Sequence, residues 1–348
     1  MGLPQAWQGS SQSIVFLQTL SGEPATGIIV DPEGTLLARA SVLGNPPSLT
    51  GVLAGGGTQA PTLKGIDPET DLAVFALSGS FQPLPVAPEP PAPGDILAFS
   101  PGLGSSASYQ EARVVEVLEA EKLFLFRAPL LPASAGGPLV NERGEVAGII
   151  LGKPWSFPGS GFCLALGPGG IERVLARARE DRLSSQPGGE DPVAKRVVSL
   201  LRQSLPEPAA WPAPTRAVAR VLPGQSLGPY RLGMTSAELG AHLGQGEAQA
   251  LGGGLERWIY DGYKLDFWLV EGRVVAISTR DPFYATESGL GVASRLDQAR
   301  LGPLEGLGLE GVGSGSRRLV AFPGLDLWAD GQGVVTRLAV ALSREVRP

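Results

Sequence analysis

The amino-acid sequence predicts a mainly β protein whose second half is a duplicated α+β domain, and three observations carry that prediction. The 348 residues include 49 glycines and 32 prolines, a turn-rich composition that favours many short strands over long helices. From Ser13 onward the chain runs as short apolar or alternating segments between turn signals, the pattern of a sandwich or barrel. From Tyr230 onward, a pattern of one short helix followed by strands occurs twice. The length allows two domains, each with its own core. The expected boundaries are 1–168 for the first, 169–222 for a helical and proline-rich connection, and 223–348 for the second.

The first domain opens with an expected strand from Ile14 to Thr19. Gly27-Ile28-Ile29-Val30 and Thr35-Leu36-Leu37-Ala38 flank Asp31-Pro32-Glu33-Gly34. There the proline presets φ and the glycine permits a positive φ, which reads as a β-hairpin. Five prolines between Pro85 and Gly94 exclude a central strand and mark a connection. Further strands are expected at Ile96 to Phe99, Tyr109 to Leu118, Leu123 to Arg127, Val146 to Leu151 and Gly161 to Ala165.

Ala25 to Leu43, Gly65 to Phe75 and Pro132 to Asn141 resemble, in that order, the hairpin around the histidine, the segment around the aspartate and the nucleophile loop of trypsin-like serine proteases of the HtrA/Deg type. The resemblance covers about residues 10–168 and implies a double β-barrel. Carried onto this chain, the family's histidine falls on Ser41, its aspartate on Asp71 and its nucleophile on Ala135, while Ala133 replaces a glycine of the oxyanion hole. A serine protease needs a nucleophile, a base and an orienting carboxylate. A serine hydroxyl is no base near neutral pH, and the chain's single histidine, His242, lies outside this domain.

These readings lead to the expectation of a non-catalytic protease homologue, not an enzyme, that binds an extended peptide or protein segment by strand addition. The candidate binding residues are Ser41, Asp71, Ala133, Ser134, Ala135 and Gly136. The alternative is a serine hydrolase working through a non-standard site around Ser134. Asp71 also has a plain structural reading, accepting hydrogen bonds from loop amides or from the Ser41 hydroxyl.

After Gly169 the apolar spacing of Ile171, Val174, Leu175 and Ala178 predicts a helix, and Pro192 to Leu205 a second one carrying Val193, Val197, Val198, Leu200 and Leu201. Pro206 to Pro214 reads as a stiff spacer. In the second domain, Tyr230 to Gly244 and Ser288 to Gly302 share one device, a Ser/Thr-capped short helix stopped by Leu-Gly. Each is followed by three strands, with Leu265-Asp266-Phe267-Trp268 matching Leu325-Asp326-Leu327-Trp328. The expectation is αβββ twice, with Trp258, Trp268 and Trp328 favouring core positions and His242 a structural role. Tyr284 to Leu290 resembles a short step in small repeated α/β domains of bacterial proteins, which assigns no function.

A net charge of −6 without a long basic run disfavours nucleic-acid partners. The single cysteine, Cys163, excludes an intrachain disulfide and any multi-cysteine metal site, and reads as a buried strand residue. No cofactor or metal is expected. No apolar run has the length of a membrane span, and the start lacks a signal-peptide pattern. The sequence as written therefore reads as soluble and cytoplasmic, with the cell envelope or secretion as the reading if a leader has been removed.

Overall fold

The computed structural model describes residues 2–19, 24–41, 49–54, 56–101, 109–130, 132–152, 163–186, 192–205, 220–296, 309–312 and 318–342. By contact, these residues divide into two compact units, one within 1–193 and one within 194–345.

The first unit begins with a helix that the sequence reading did not anticipate, α1 (Leu3–Ser10), with Pro4 in its first turn. Trp7 anchors it, 2% exposed, with its ring centroid 6.0 Å from that of Tyr109. Seven strands follow: β1 (Ile14–Thr19), β2 (Pro24–Ile29), β3 (Thr35–Arg39), β4 (Leu49–Leu53), β5 (Thr58–Gln59), β6 (Thr62–Asp67) and β7 (Leu72–Ala76). They form an antiparallel sheet in the order β5-β4-β1-β2-β3-β7-β6. The β2–β3 hairpin turns where expected. Gly34 takes φ 91°, and the Asp31 carboxylate accepts the Thr35 amide at 2.8 Å. Val15, Leu17, Ile29, Leu36 and Phe75 belong to one buried apolar core packed on this sheet.

Six more strands close into a barrel. They are β8 (Ile96–Phe99), β9 (Gln110–Leu118), β10 (Leu123–Arg127), β11 (Pro138–Val140), β12 (Val146–Gly152) and β13 (Cys163–Leu166), in the ring order β10-β13-β12-β11-β8-β9. Phe99, Phe124, Phe126, Leu139, Ile150 and the buried Cys163 pack inside it. The fold is thus mainly β, one closed barrel and one half-barrel. The expected first barrel stays open at β5 and β6, which pair on one side only among the described residues.

Helix α2 (Pro168–Arg179) buries Ile171 and Val174, and its Arg177 reaches the Asp67 carboxylate at 3.3 Å. Helix α3 (Pro192–Ser204) buries Val197, Val198, Leu200 and Leu201. The proline-rich spacer lies outside the described residues.

In the second unit, β14 (Val221–Leu222), β15 (Ser226–Leu227) and β16 (Tyr230–Arg231) form a small sheet. Helix α4 (Ser236–Leu243) follows, closed by a capping box in which Thr235 Oγ1 accepts the Glu238 amide and Glu238 accepts the Thr235 amide. An eight-stranded antiparallel sheet then runs β17 (Glu247–Gly252), β18 (Leu255–Tyr260), β19 (Leu265–Val270), β20 (Arg273–Thr279), β21 (Leu309–Val312), β22 (Arg318–Phe322), β23 (Leu325–Ala329) and β24 (Val335–Ala341). Its order is β17-β18-β19-β20-β24-β23-β22-β21, so the two copies meet at β20 and β24, with Ile277 opposite Val340.

The duplication holds, with one correction: each copy contributes four strands where three were expected. The additional strands, β17 and β21, are outer edges. The described side chains of β17 are mostly exposed, so β17 carries no apolar alternation by which to read it. The second copy's expected helix lies largely outside the described residues.

Trp268 is fully buried as expected, whereas Trp258 and Trp328 are half-buried. The guanidinium of Arg257 stands 5.4 Å from the Trp268 ring, and that of Arg337 stands 5.0 Å from the Trp328 ring. His242 lies exposed on α4.

Candidate functional site

The site sits where the loop before β11 meets the β2–β3 hairpin. Residues Pro132–Ser134 form a single 3-10 turn. Thr26, buried on β2, ties the loop down through both its groups. Its hydroxyl donates to the Ala133 carbonyl at 2.6 Å, and its amide to the Ala135 carbonyl at 3.1 Å. On the other side, the Gly136 amide donates to the Ile150 carbonyl at 2.8 Å and the Ile150 amide to the Gly137 carbonyl at 2.9 Å. The loop is therefore sewn to a strand of the half-barrel and a strand of the barrel.

Gly136 makes that approach feasible. It takes φ 81°, and a Cβ there would meet the Thr26 carbonyl oxygen and come within 2.7 Å of the Arg39 nitrogen. Ala133 shows no left-handed backbone, since the 3-10 turn does not require one.

Asp71 is the electrostatic centre. It is 4% exposed and sits at the end of the β6–β7 turn with φ 61°, in the left-handed region that costs a non-glycine residue about 1–2 kcal/mol. Surrounding bonds hold it there. Its carbonyl accepts the Ala40 amide at 2.7 Å. Its Oδ1 accepts the Ser41 amide at 2.9 Å, and its Oδ2 accepts both the Ser41 hydroxyl at 2.6 Å and Arg39 Nε at 2.7 Å. Arg39 and Asp71 form a buried ion pair, their side chains 3% and 5% exposed.

Sequence reasoning missed Arg39. The available signal was an arginine at the end of an otherwise apolar strand, a position that demands a counter-ion.

Of the six candidate binding residues, Ser41 alone is exposed; Asp71, Ala133, Ser134, Ala135 and Gly136 are buried. Ser134 Oγ is fully buried and makes no hydrogen bond. The geometry thus brings Ser41 and Asp71 into direct contact and leaves Ser134 facing inward, because the loop folds as a helical turn in place of an extended strand. Among the described residues there is no cluster of three or more metal-ligating side chains, and no helix long and apolar enough to cross a membrane.

Residues 25–149 match the family model of the trypsin-like peptidase domain. The chain is similar to HhoA of Synechocystis, named as a serine protease, with 29% identity over 162 residues that cover 40% of each chain. It is also similar to serine protease Rv3671c of Mycobacterium tuberculosis, 26% identical over 157 residues that cover 41% of this chain and 39% of the relative. These matches agree with the resemblance read from the sequence and place the similarity to trypsin-like peptidases within the first unit. Among solved structures, the serine endoprotease from Yersinia pestis aligns over 52% of this chain and 68% of its own at 18% identity, with a TM-score of 0.46. The chain spans about two fifths of the length of the curated relatives it matches.

One expectation is corrected by these matches. The sequence reading took the chain to be no enzyme, but the relatives it matches are named serine proteases. The inference rested on the residue types at Ser41, Ala133 and Ala135 and on the lack of a histidine in the first domain. Both grounds bear on one particular triad and not on hydrolysis by other groups, so they do not support a conclusion about the whole chain.

Proposed function

We propose that the first unit is a polypeptide-engaging domain of the serine-protease class, which takes an extended peptide or protein segment beside the 132–137 loop. The observation that supports this most is the loop's backbone. It keeps a turn of fixed shape between β2 and β12, held by four hydrogen bonds to Thr26 and Ile150. Recognition by strand addition draws on main-chain hydrogen bonds, so it depends on such a preset backbone more than on individual side chains. The kinship with proteins named serine proteases supports polypeptide as the ligand class.

The test is to titrate the full chain with a pool of fluorescein-labelled peptides, reading anisotropy for binding and mass spectrometry for cleavage. Saturable binding or sequence-selective cleavage is expected. Neither event at any attainable peptide concentration, with the protein folded, would sink the proposal.

A second reading is favoured by one observation, the buried and unbonded hydroxyl of Ser134. In it the loop opens, exposing Ser134 as a nucleophile for hydrolysis. A hydroxyl buried without a partner costs about 1–3 kcal/mol, which such an opening would recover. Covalent labelling that maps to Ser134 would establish it.

A further inference from the structure

We propose that Ser41 and Asp71 form a nucleophile–base dyad for acyl transfer, with the acyl group of an ester or of an extended peptide as the substrate class. The proposal rests on the serine-protease-class reading above and names the atoms that carry it.

Ser41 is exposed, and its Oγ donates to Asp71 Oδ2 at 2.6 Å, within the reach that general-base activation needs. The base is already positioned by a third group: Arg39 Nε donates to the same oxygen at 2.7 Å, and the Ser41 amide donates to the other oxygen at 2.9 Å. Nucleophile, base and orienting group thus stand in sequence, on a carboxylate held below the surface and a hydroxyl held at it. Ser134 offers neither feature, being buried and without an acceptor.

In the step, Ser41 Oγ attacks the acyl carbon, the C–Oγ bond forms and the hydroxyl proton passes to Asp71 Oδ2. Collapse breaks the bond to the leaving alcohol or amine, which takes that proton from Asp71, and an acyl ester of Ser41 remains. Water then attacks the ester, giving a proton to Asp71. The C–Oγ bond breaks, the proton returns to Oγ, and a carboxylic acid departs. Substrate and water are consumed, acid and alcohol or amine are released, and no oxidant or other co-reactant is needed.

The experiment incubates the full chain with an alkyl fluorophosphonate, which forms a P–O bond at an activated serine and releases fluoride, and maps the adduct by peptide mass spectrometry. One adduct on Ser41 is expected, absent in Ser41→Ala and formed at least tenfold more slowly in Asp71→Asn. Asp71→Glu serves where the asparagine variant fails to fold. It keeps the charge that Arg39 requires and displaces the oxygen, and slower labelling is again expected. An adduct on Ser134 or any other residue, no adduct on folded protein, or Asp71 variants labelling at the wild-type rate would overturn the dyad. The peptide titration separates this result from the reading beneath it. Binding that survives in Ser41→Ala while no adduct forms on wild type refutes the dyad and leaves peptide engagement standing; an adduct on Ser41 without peptide binding does the reverse.

Discussion

Replacing Arg39 with methionine removes a buried cation of similar length and leaves the Asp71 carboxylate without its ionic partner. Both side chains are at most 5% exposed, so solvent does little to screen the loss. Breaking a buried pair from one side costs about 3–5 kcal/mol. Here the two Ser41 donors remain on the carboxylate, which places Arg39→Met near the lower end, about 3 kcal/mol. The Arg39→Met/Asp71→Asn double variant removes both charges and costs far less than the sum of the singles, giving a coupling of about 2 kcal/mol or more.

Because the chain holds two units, a single melting curve does not isolate this effect. Native-state hydrogen exchange does. The Ala40 amide, bonded to the Asp71 carbonyl, and the Thr26 amide, bonded to the Ala135 carbonyl, report the first unit alone. If Arg39→Met lowered their protection by less than 1 kcal/mol, or if the double variant cost the sum of the singles, the ion pair would not be what holds Asp71 in place.

Gly136→Ala places a methyl group against the Thr26 carbonyl and the Arg39 nitrogen at φ 81°; a loss of about 2–4 kcal/mol is expected from strain and contact, read as faster exchange at Thr26. Thr235→Ala removes the capping-box acceptor of α4 and should cost about 1 kcal/mol, measured as a lower urea midpoint of the second unit. Burial raises the Tyr230 phenol to about 12 from its ordinary 10.0, with smaller contributions from Tyr284, Tyr263 and Tyr260. The folded state therefore holds its proton longer than the unfolded one. That stability is fully present below pH 10.0 and lost as the pH rises toward 12. Tyr230→Phe should flatten that alkaline fall, and an unchanged profile would refute the assignment.

The elements legible in the sequence are those that announce themselves locally. Asp31-Pro32-Glu33-Gly34 specifies its turn locally, through the φ of Pro32 and Gly34 and the Asp31 carboxylate on the Thr35 amide, and the repeated Leu-Asp-aromatic/Leu-Trp steps disclose the duplication. Helix α1 was not legible. It buries Leu3, Ala6, Trp7 and Ser10, too short a pattern over eight residues to read. Strand β17 escaped because an exposed edge needs no alternation.

At the site, the alignment placed Ser41 and Asp71 on facing segments, and the structure joins them. The arginine ending an apolar strand signals a counter-ion, but a pair across 32 residues of chain does not reveal locally that the counter-ion is Asp71. Nor did the alignment show that residues 132–134 coil into a turn. That turn is tied down by Thr26, more than a hundred residues earlier in the chain.

The meeting of β20 with β24 has a consequence for how the second unit is made. Within the eight-stranded sheet, each other described pairing joins strands consecutive in the chain, from β17 to β20 and from β21 to β24. Each half can thus zip from its own hairpins at small loop-closure cost, and the entropy of bringing distant chain together is concentrated in one seam. Ala276, Ile277, Ser278 and Thr279, opposite Ala341, Val340, Ala339 and Leu338, are accordingly the positions where substitution should slow folding most. At the outer strands it should mainly hasten unfolding.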